Sequence, residues 1–337
     1  MTRAKWILTG GDTLAGREVR DYVAEHQLPV HLVLAGGTPA ERVLAGGDEE
    51  IAVMEPLSAE LLQDAAALFL AAPREETLAA CELARTLPHP PALIDLTGAF
   101  EYDPAAAVRA PMLEAAPPLM PAGAVHIVAH AAASGLGRLL DLIHARHPVR
   151  HAVATLLEPV SVHGARGVDE LHKQTLSLFN FQTPPKDLFD TQASFNLLPR
   201  FGPDAAVQPG GSEARIERHL ARLLPPRRVP VPSVRVLHAP VFHGYAASVW
   251  IDFEQRPALV FLEKELEQAG LDVRLAGMET ASNTGVAGQS GITVSDLAED
   301  PRHGSGLWLW MMLDNLRTTA ETAVLIAAAA SRAREAA

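Results

Sequence analysis

Val125-His-Ile-Val-Ala-His-Ala-Ala-Ala-Ser-Gly-Leu-Gly-Arg-Leu-Leu140 is the stretch that decides the fold. Its apolar first half predicts a buried strand that ends at His130. A run of small residues follows, and we expect a helix to start near Ser134, whose hydroxyl can cap the first turn. A helix N-terminus gathers unpaired N–H donors, so anions and thiolates are often found there. Residues 131–133 are alanines, whose side chains cannot react.

Length and composition set the class of protein. The chain has 337 residues, of which 48% are hydrophobic. That is enough for a large core in two domains or one large α/β domain. The single cysteine, Cys81, excludes a disulfide framework and any CxxC site. It lies at helical apolar spacing in residues 77–84, which is typical of a small core residue rather than a nucleophile.

The net charge of −12 argues against nucleic acid as a partner. Pro225-Pro-Arg-Arg228 is the densest basic segment, and two arginines do not make a patch. The N-terminus leads directly into a strand without the apolar run of a signal peptide. The alanine-rich C-terminal helix is too short and amphipathic to span a bilayer. We therefore expect a soluble, cytoplasmic protein that binds neither nucleic acid nor membrane.

The N-terminal segment reads as a strand at 6–9, a glycine turn at 10–16 and a helix at 17–26. Gly10 and Gly16 take the outer positions of a dinucleotide-loop variant, but Thr13 takes the middle one. A middle glycine lets the backbone approach a pyrophosphate, and a threonine Cβ crowds it. Two interpretations stay open: a plain tight turn into a helix, or a loop that binds NAD or NADP.

The alternation of strands and helices predicts a parallel, doubly wound, Rossmann-type sheet. Its further elements are strands at 30–34, 67–71 and 92–96 and a helix at 75–86. Beyond residue 133 the pattern changes to a mixed-sheet α+β domain. Its predicted elements are helices at 136–147, 167–181, 213–224, 257–270 and 316–333 and strands at 150–157, 233–237, 247–253 and 307–313. The alternating Trp308, Trp310 and Met312 indicate core and dimer contacts.

Four segments, in order, are similar to motifs of the aspartate-semialdehyde dehydrogenase family. They are Val160-Ser-Val-His-Gly-Ala-Arg-Gly-Val-Asp-Glu-Leu171, Phe195-Asn-Leu-Leu-Pro199, Ala239-Pro-Val-Phe-His-Gly-Tyr245 and Asp314-Asn-Leu-Arg317. The resemblance implies a Rossmann domain at 1–132, a substrate and dimerisation domain at 133–313 with a mixed sheet of the glyceraldehyde-3-phosphate-dehydrogenase type, and a helix at 314–337 that returns to the first domain. It also implies a homodimer.

In that family a cysteine thiolate attacks the aldehyde, hydride passes to NADP, and phosphate releases the product. The resemblance implies that the nucleophile position is Ala133, within residues 130–135. The supporting glutamine falls on Glu158, the general-base histidine on Tyr245 and the carboxylate-binding arginine on His238. A carboxylate repels a thiolate, and a tyrosine pKa of about 10 suits proton transfer at neutral pH poorly.

The anion and cofactor positions also depart from the family pattern. A phosphate-binding arginine falls on Glu101, which reverses the charge, and a substrate-binding lysine falls loosely on Arg215. Four cofactor positions match the family, namely Gly10, Gly16, Ser161 and Asn315. Thr13 and Thr38 do not, and Thr38 lies where an arginine would hold a 2′-phosphate.

The sequence is therefore most similar to the nucleophile-lacking, Usg-like paralogues of the dehydrogenase. We expect a dimeric homologue that has lost the dehydrogenase reaction and has a nucleotide or small-molecule site in the cleft between its domains. The alternative is an NAD(P)-dependent oxidoreductase that reduces a small aldehyde or ketone without a covalent step, with Tyr245 or His243 as the acid. A metal-dependent hydrolase is a third hypothesis, but the 14 histidines are scattered, so we expect no metal. His238 and His243 are the pair that this hypothesis would use.

Overall fold

The computed structural model describes residues 3–36, 43–45, 51–116, 120–207 and 211–335, without the side chains of 43–45 and 51–53. Thr38 lies outside them. The chain divides into two compact units, one formed by 1–129 with 319–337 and the other by 130–318. No helix in the described segments is both long and apolar enough to cross a bilayer.

The first unit is built on a parallel six-stranded sheet. Up to residue 128 its elements are β1 (Ala4–Thr9), α1 (Leu14–Glu25), β2 (Val30–Ala35), β3 (Val43–Ala45), β4 (Ile51–Val53), α2 (Ala59–Leu62), β5 (Ala65–Leu70), α3 (Arg74–Arg85), β6 (Ala92–Asp95), β7 (Ala107–Arg109) and β8 (Val125–Val128). The strand order is β2-β1-β5-β6-β8-β7, and every pair in this sheet is parallel. β5 is buried along its whole length, as expected for a parallel sheet covered on both faces.

The second unit has a mixed six-stranded sheet. Its elements are α4 (Ala131–His144), β9 (Val149–Glu158), α5 (Gly164–Phe179), α6 (Gly211–Leu223), β10 (Ser233–His238), β11 (Tyr245–Phe253), α7 (Leu259–Gln268), β12 (Asp272–Arg274), α8 (Asn283–Val286), β13 (Thr293–Glu299) and β14 (Gly306–Leu313), and α9 (Asn315–Glu335) ends the chain. The strand order is β10-β9-β11-β14-β13-β12. A Rossmann-type parallel sheet followed by a mixed α+β domain is the predicted fold class, and it is confirmed.

One local prediction is wrong. Helix α4 starts at Ala131, not near Ser134, and His130 is its N-cap residue. The Ser134 N–H already donates to the His130 carbonyl at 2.9 Å, so Ser134 lies within the first turn. The reason is that alanine is the best helix former, so residues 131–133 extend the helix instead of preceding it.

Candidate functional site

The site is centred on Glu158, the last residue of β9, whose side chain is 1% exposed. Its Oε2 accepts a hydrogen bond from the Tyr245 hydroxyl at 2.6 Å. Its Oε1 lies 3.0 Å from Nδ1 of His238, which donates in the tautomer that this contact favours. Three of the predicted catalytic positions are therefore brought together in one hydrogen-bonded group.

Sheet register explains why these residues meet. β10 runs parallel to β9, and His238 is the register partner of Glu158. β11 runs antiparallel to β9, with Ala246 opposite Leu157, so Tyr245 begins β11 beside the end of β9. The side chains thus come from three adjacent strand ends, a rigid arrangement that requires no loop to hold it.

The carboxylate is kept ionised by its neighbours. Burial works to raise the pKa of Glu158, but the contacts of His163, His238 and Tyr245 together bring that pKa below its usual range. For Tyr245, burial and the Glu158 charge hold the pKa of the phenol well above its usual value. Tyr245 is therefore a neutral donor to an ionised carboxylate.

His163 is the member of the cluster that the sequence analysis missed. It ends a 3-10 helix at Val160–His163, directly after β9. Its Nε2 lies 3.5 Å from Oε1 of Glu158. Its ring meets the edges of Phe189 and Phe201 at centroid distances of 5.6 and 5.3 Å. The signal available in the sequence was its place: a histidine five residues after Glu158, within the first of the four motif-like segments.

Ala133, the predicted nucleophile position, offers no reactive group. Ala133 is fully buried in the first turn of α4 and belongs to the same apolar cluster as Tyr245. The neighbouring Ser134 hydroxyl is also buried and has no hydrogen-bond partner within the described part of the chain, so nothing there activates it. Cys81 lies in α3, in the core of the first unit, where burial raises the pKa of its thiol.

The glycine turn of the first unit is explained by its own backbone. Gly10 has φ +70°, and a Cβ there would lie 2.4 Å from the backbone of Ala71. A Cβ on Gly16 would lie 2.0 Å from the Gly10 carbonyl oxygen. Thr13 caps α1, since its hydroxyl accepts from the Gly16 N–H at 3.1 Å and donates to the Gly10 carbonyl at 2.8 Å. The turn itself therefore requires both glycines, and Thr13 caps the helix that follows.

Ser161 and Asn315, the two predicted cofactor positions of the second unit, interact with each other. Asn315 Nδ2 donates to Ser161 Oγ at 3.1 Å, and Asn315 Oδ1 accepts from the Gly244 N–H at 2.9 Å. Both side chains are at least 95% buried. Their polar atoms therefore already have partners in this unit.

The remaining predicted positions are less informative. Glu101 follows the turn after β6 and is buried. Arg215 lies on α6, and its positive charge only partly opposes the rise in the pKa of Tyr245 that burial and Glu158 cause. Among the described residues, the potential metal ligands grouped with His238 are Glu158 and His163, and the pairing of His238 with His243 stays a prediction.

These features define a class of protein: a two-unit α/β protein with a Rossmann-type unit and a mixed-sheet unit that holds the Glu158 cluster. Residues 139–318, more than half of the chain, match the family described as semialdehyde dehydrogenase, dimerisation domain. The chain belongs to the semialdehyde dehydrogenase family.

The curated relatives include dehydrogenases and paralogues. The chain is 31% identical over 173 residues to an aspartate-semialdehyde dehydrogenase of Rickettsia bellii. This match covers 50% of each chain, so the chain spans about half the length of the first curated relatives it matches. It is 31% identical over 67% of both chains to a USG-1 protein homolog of Azotobacter vinelandii. A USG-1 protein homolog of Pseudomonas aeruginosa is 28% identical over 92% of both chains.

Solved structures show the same fold. Aspartate semialdehyde dehydrogenase II of Vibrio cholerae, complexed with ASA, has a TM-score of 0.82 at 20% identity and covers 98% of this chain and 99% of its own. An aspartate semialdehyde dehydrogenase of Candida albicans with NADP has a TM-score of 0.69 at 12% identity, with 99% of both chains covered.

Proposed function

We propose that this chain is a family member that no longer performs the thioester-forming dehydrogenase reaction. The observation that carries this proposal is the hydrogen-bonded group of Glu158, His238 and Tyr245, together with Ala133 at the nucleophile position. Formation of a thioester requires a sulfur, a base and cationic groups for the substrate. Here the three replaced side chains satisfy one another, and Ala133 has only a methyl group to offer.

The alternative of a non-covalent oxidoreductase with Tyr245 as acid is less well supported. The Tyr245 hydroxyl donates a hydrogen bond to Glu158 at 2.6 Å, and the Tyr245 side chain is fully buried. A general acid must direct its proton at the substrate, within hydrogen-bond reach. The raised pKa of this phenol makes it a still weaker acid.

We further propose that NAD or NADP binds weakly. The residues fit a tightly held dinucleotide poorly, because Thr13 occupies the Gly16 N–H and Ser161 is engaged with Asn315. With about 1 mM dinucleotide and a Kd of about 1 mM, binding would stabilise the protein by about 0.4 kcal/mol. For a protein of this size that corresponds to a rise in Tm of about 1 °C, measured by thermal shift. A much larger rise would contradict the proposal.

A homodimer is the proposed assembly, formed through the second unit. Trp250 lies opposite both Val153 and Trp308 across three neighbouring strands. Val153 and Trp308 are each 43% exposed, so this row of apolar side chains forms an exposed apolar surface of the kind that a second subunit buries. Trp308→Glu should shift the mass measured by light scattering from dimer to monomer, whereas Phe261→Glu, on the exposed side of α7, should leave it unchanged.

The decisive assay for the lost reaction follows NADPH formation from aspartate semialdehyde, NADP and phosphate. Removal of a catalytic unit costs orders of magnitude in rate, so we expect activity at least about 10⁴-fold below that of a dehydrogenase with its cysteine. Ala133→Cys, the matched variant, should stay inactive because Glu158, His238 and Tyr245 remain. Wild-type turnover comparable to that of the true dehydrogenase would reject the proposal.

A further inference from the structure

We propose that Glu158, His163 and His238 form a binding site for one divalent transition-metal ion, for which zinc is the best match. The three residues belong to one unit and come from adjacent positions: the end of β9, the 3-10 helix that follows it, and the end of β10. Two imidazole nitrogens and one carboxylate oxygen are a common zinc ligand set, with a further position left for water or a substrate.

The distances are near those of a coordinated ion. His238 Nδ1 and His163 Nε2 lie 3.0 and 3.5 Å from Oε1 of Glu158. Zinc bonds of about 2.0–2.2 Å in a tetrahedron place neighbouring ligand atoms about 3.3–3.6 Å apart. One potential ligand atom from each residue lies within 4.8 Å of the others, so rotamer adjustments of about 1 Å would close the site.

Both imidazole rings are held in place by aromatic side chains. The His238 ring stacks on Phe201 with a centroid distance of 3.9 Å and an interplanar angle of 18°. The His163 ring contacts the edges of Phe189 and Phe201. An apolar, fixed surround lowers the entropy lost on binding and strengthens the attraction of the carboxylate for a cation.

Tyr245 completes the arrangement by its contact with the other carboxylate oxygen. Its hydroxyl donates to Oε2, which orients the Glu158 carboxylate with Oε1 toward the two histidines. Hydrogen bonds that orient a ligating carboxylate through its other oxygen are typical of metal centres. The His163 and His238 side chains are 12% and 14% exposed, which gives an ion a path from solvent, whereas Glu158 is 1% exposed.

The test uses the full chain without a histidine tag, stripped with a chelator and titrated with Co²⁺ and then Zn²⁺. We expect one ion per chain, a visible absorption band of bound Co²⁺, and loss of that band when Zn²⁺ is added. His163→Ala and His238→Ala should each lower the affinity on the order of 100-fold or more. His238→Gln keeps a hydrogen-bond donor for Glu158 but removes the imidazole. This variant should therefore fold but bind the metal ion only weakly.

His147→Ala is the matched control. His147 also faces a carboxylate, with its Nε2 2.7 Å from Oε2 of Glu265, but these two residues belong to none of the three-residue ligand groups found within the described segments. Its affinity should equal that of the wild type. Substoichiometric binding, or equal affinity in wild type and His238→Gln, would overturn the metal site and identify the cluster as a purely structural network. Neither result decides the dehydrogenase assay, since that assay measures NADPH formation and not metal binding.

Discussion

The glycine turn of the first unit and the Glu158 cluster of the second unit have diverged from the family pattern in opposite ways. The turn keeps Gly10 and Gly16, and the backbone requires both whether or not a cofactor binds. The cluster occupies the positions where the resemblance predicts a glutamine, an arginine and a histidine, and its side chains bond to one another. Retained residues are thus weak support for a function, and replaced ones can form a coherent new site.

The largest expected effect is that of Glu158→Ala. It removes the buried acceptor shared by Tyr245 and His238 and, among the described residues, leaves the Tyr245 hydroxyl only its 3.4 Å contact with His130 Nε2. We expect a cost of about 4 kcal/mol in the free energy of unfolding. Urea denaturation would measure the loss. Glu267→Ala, on an exposed part of α7, should change the stability by less than about 0.5 kcal/mol. A loss as small at Glu158 would mean that the cluster contributes little to the fold.

Gly10→Ala tests whether the backbone of the glycine turn in the first unit requires this residue. The positive φ and the approach of a Cβ to 2.4 Å from Ala71 should together cost about 3 kcal/mol. Gly11→Ala is the neighbouring control, because its nearest contact is the flexible end of Leu34 at 3.3 Å. If chemical denaturation gives equal stabilities for the two variants, Gly10 is not required by the backbone, and a cofactor becomes the better reason for it.

Much of this architecture follows from the sequence. Strand and helix alternation predicted the Rossmann-type sheet, and motif resemblance identified Glu158, His238 and Tyr245 as positions of one site. The short β7 and β12 escaped prediction because three residues carry too little periodicity. β13 escaped because its register shifts after Ser295, which breaks the alternation of its side chains.

The site was harder to predict than the fold. His163 has no catalytic counterpart in the family motifs, so resemblance passed over it, and its place beside Glu158 depends on the 3-10 helix after β9. Thr13 was interpreted by its mismatch to a glycine, although a threonine before a helix is itself a capping signal. For both His163 and Thr13, the local backbone and not the family motif determines what the side chain contacts.

His126, a half-buried histidine of the first unit, gives a pH dependence that a titration can measure. In the first unit, burial first and Arg109 second lower the pKa of His126 to about 4. Its Nδ1 accepts a hydrogen bond from Arg109 Nη1 at 2.7 Å, so the ring is neutral in the folded state. In the unfolded chain His126 has a pKa near 6.5, so on acidification the unfolded chain takes up this proton before the folded protein does. The contribution of the neutral ring to stability is therefore complete above pH 6.5 and is lost as the pH falls toward 4.

Between pH 8 and pH 5 this linkage should cost about 2 kcal/mol of unfolding free energy. His126→Asn places an amide oxygen near the Nδ1 position and cannot titrate, so its stability should decline by about 2 kcal/mol less over the same range. Denaturation curves at both pH values measure the difference. The same pH dependence in variant and wild type would show that His126 is charged in the folded protein.

The smallest effect concerns Thr13, where the comparison is sharpest. Thr13→Ala removes the cap of α1 and should cost about 1 kcal/mol, whereas Thr13→Gly should cost only a few tenths. Thr13→Gly also restores the family glycine and frees the Gly16 N–H, so it should increase the rise in Tm caused by NADP, while Thr13→Ser should behave as the wild type. If Thr13→Gly binds NADP no better than the wild type, the turn is structural alone. If instead wild type binds NADP tightly and Thr13→Gly adds nothing, the first unit has kept the cofactor site and only the second has diverged.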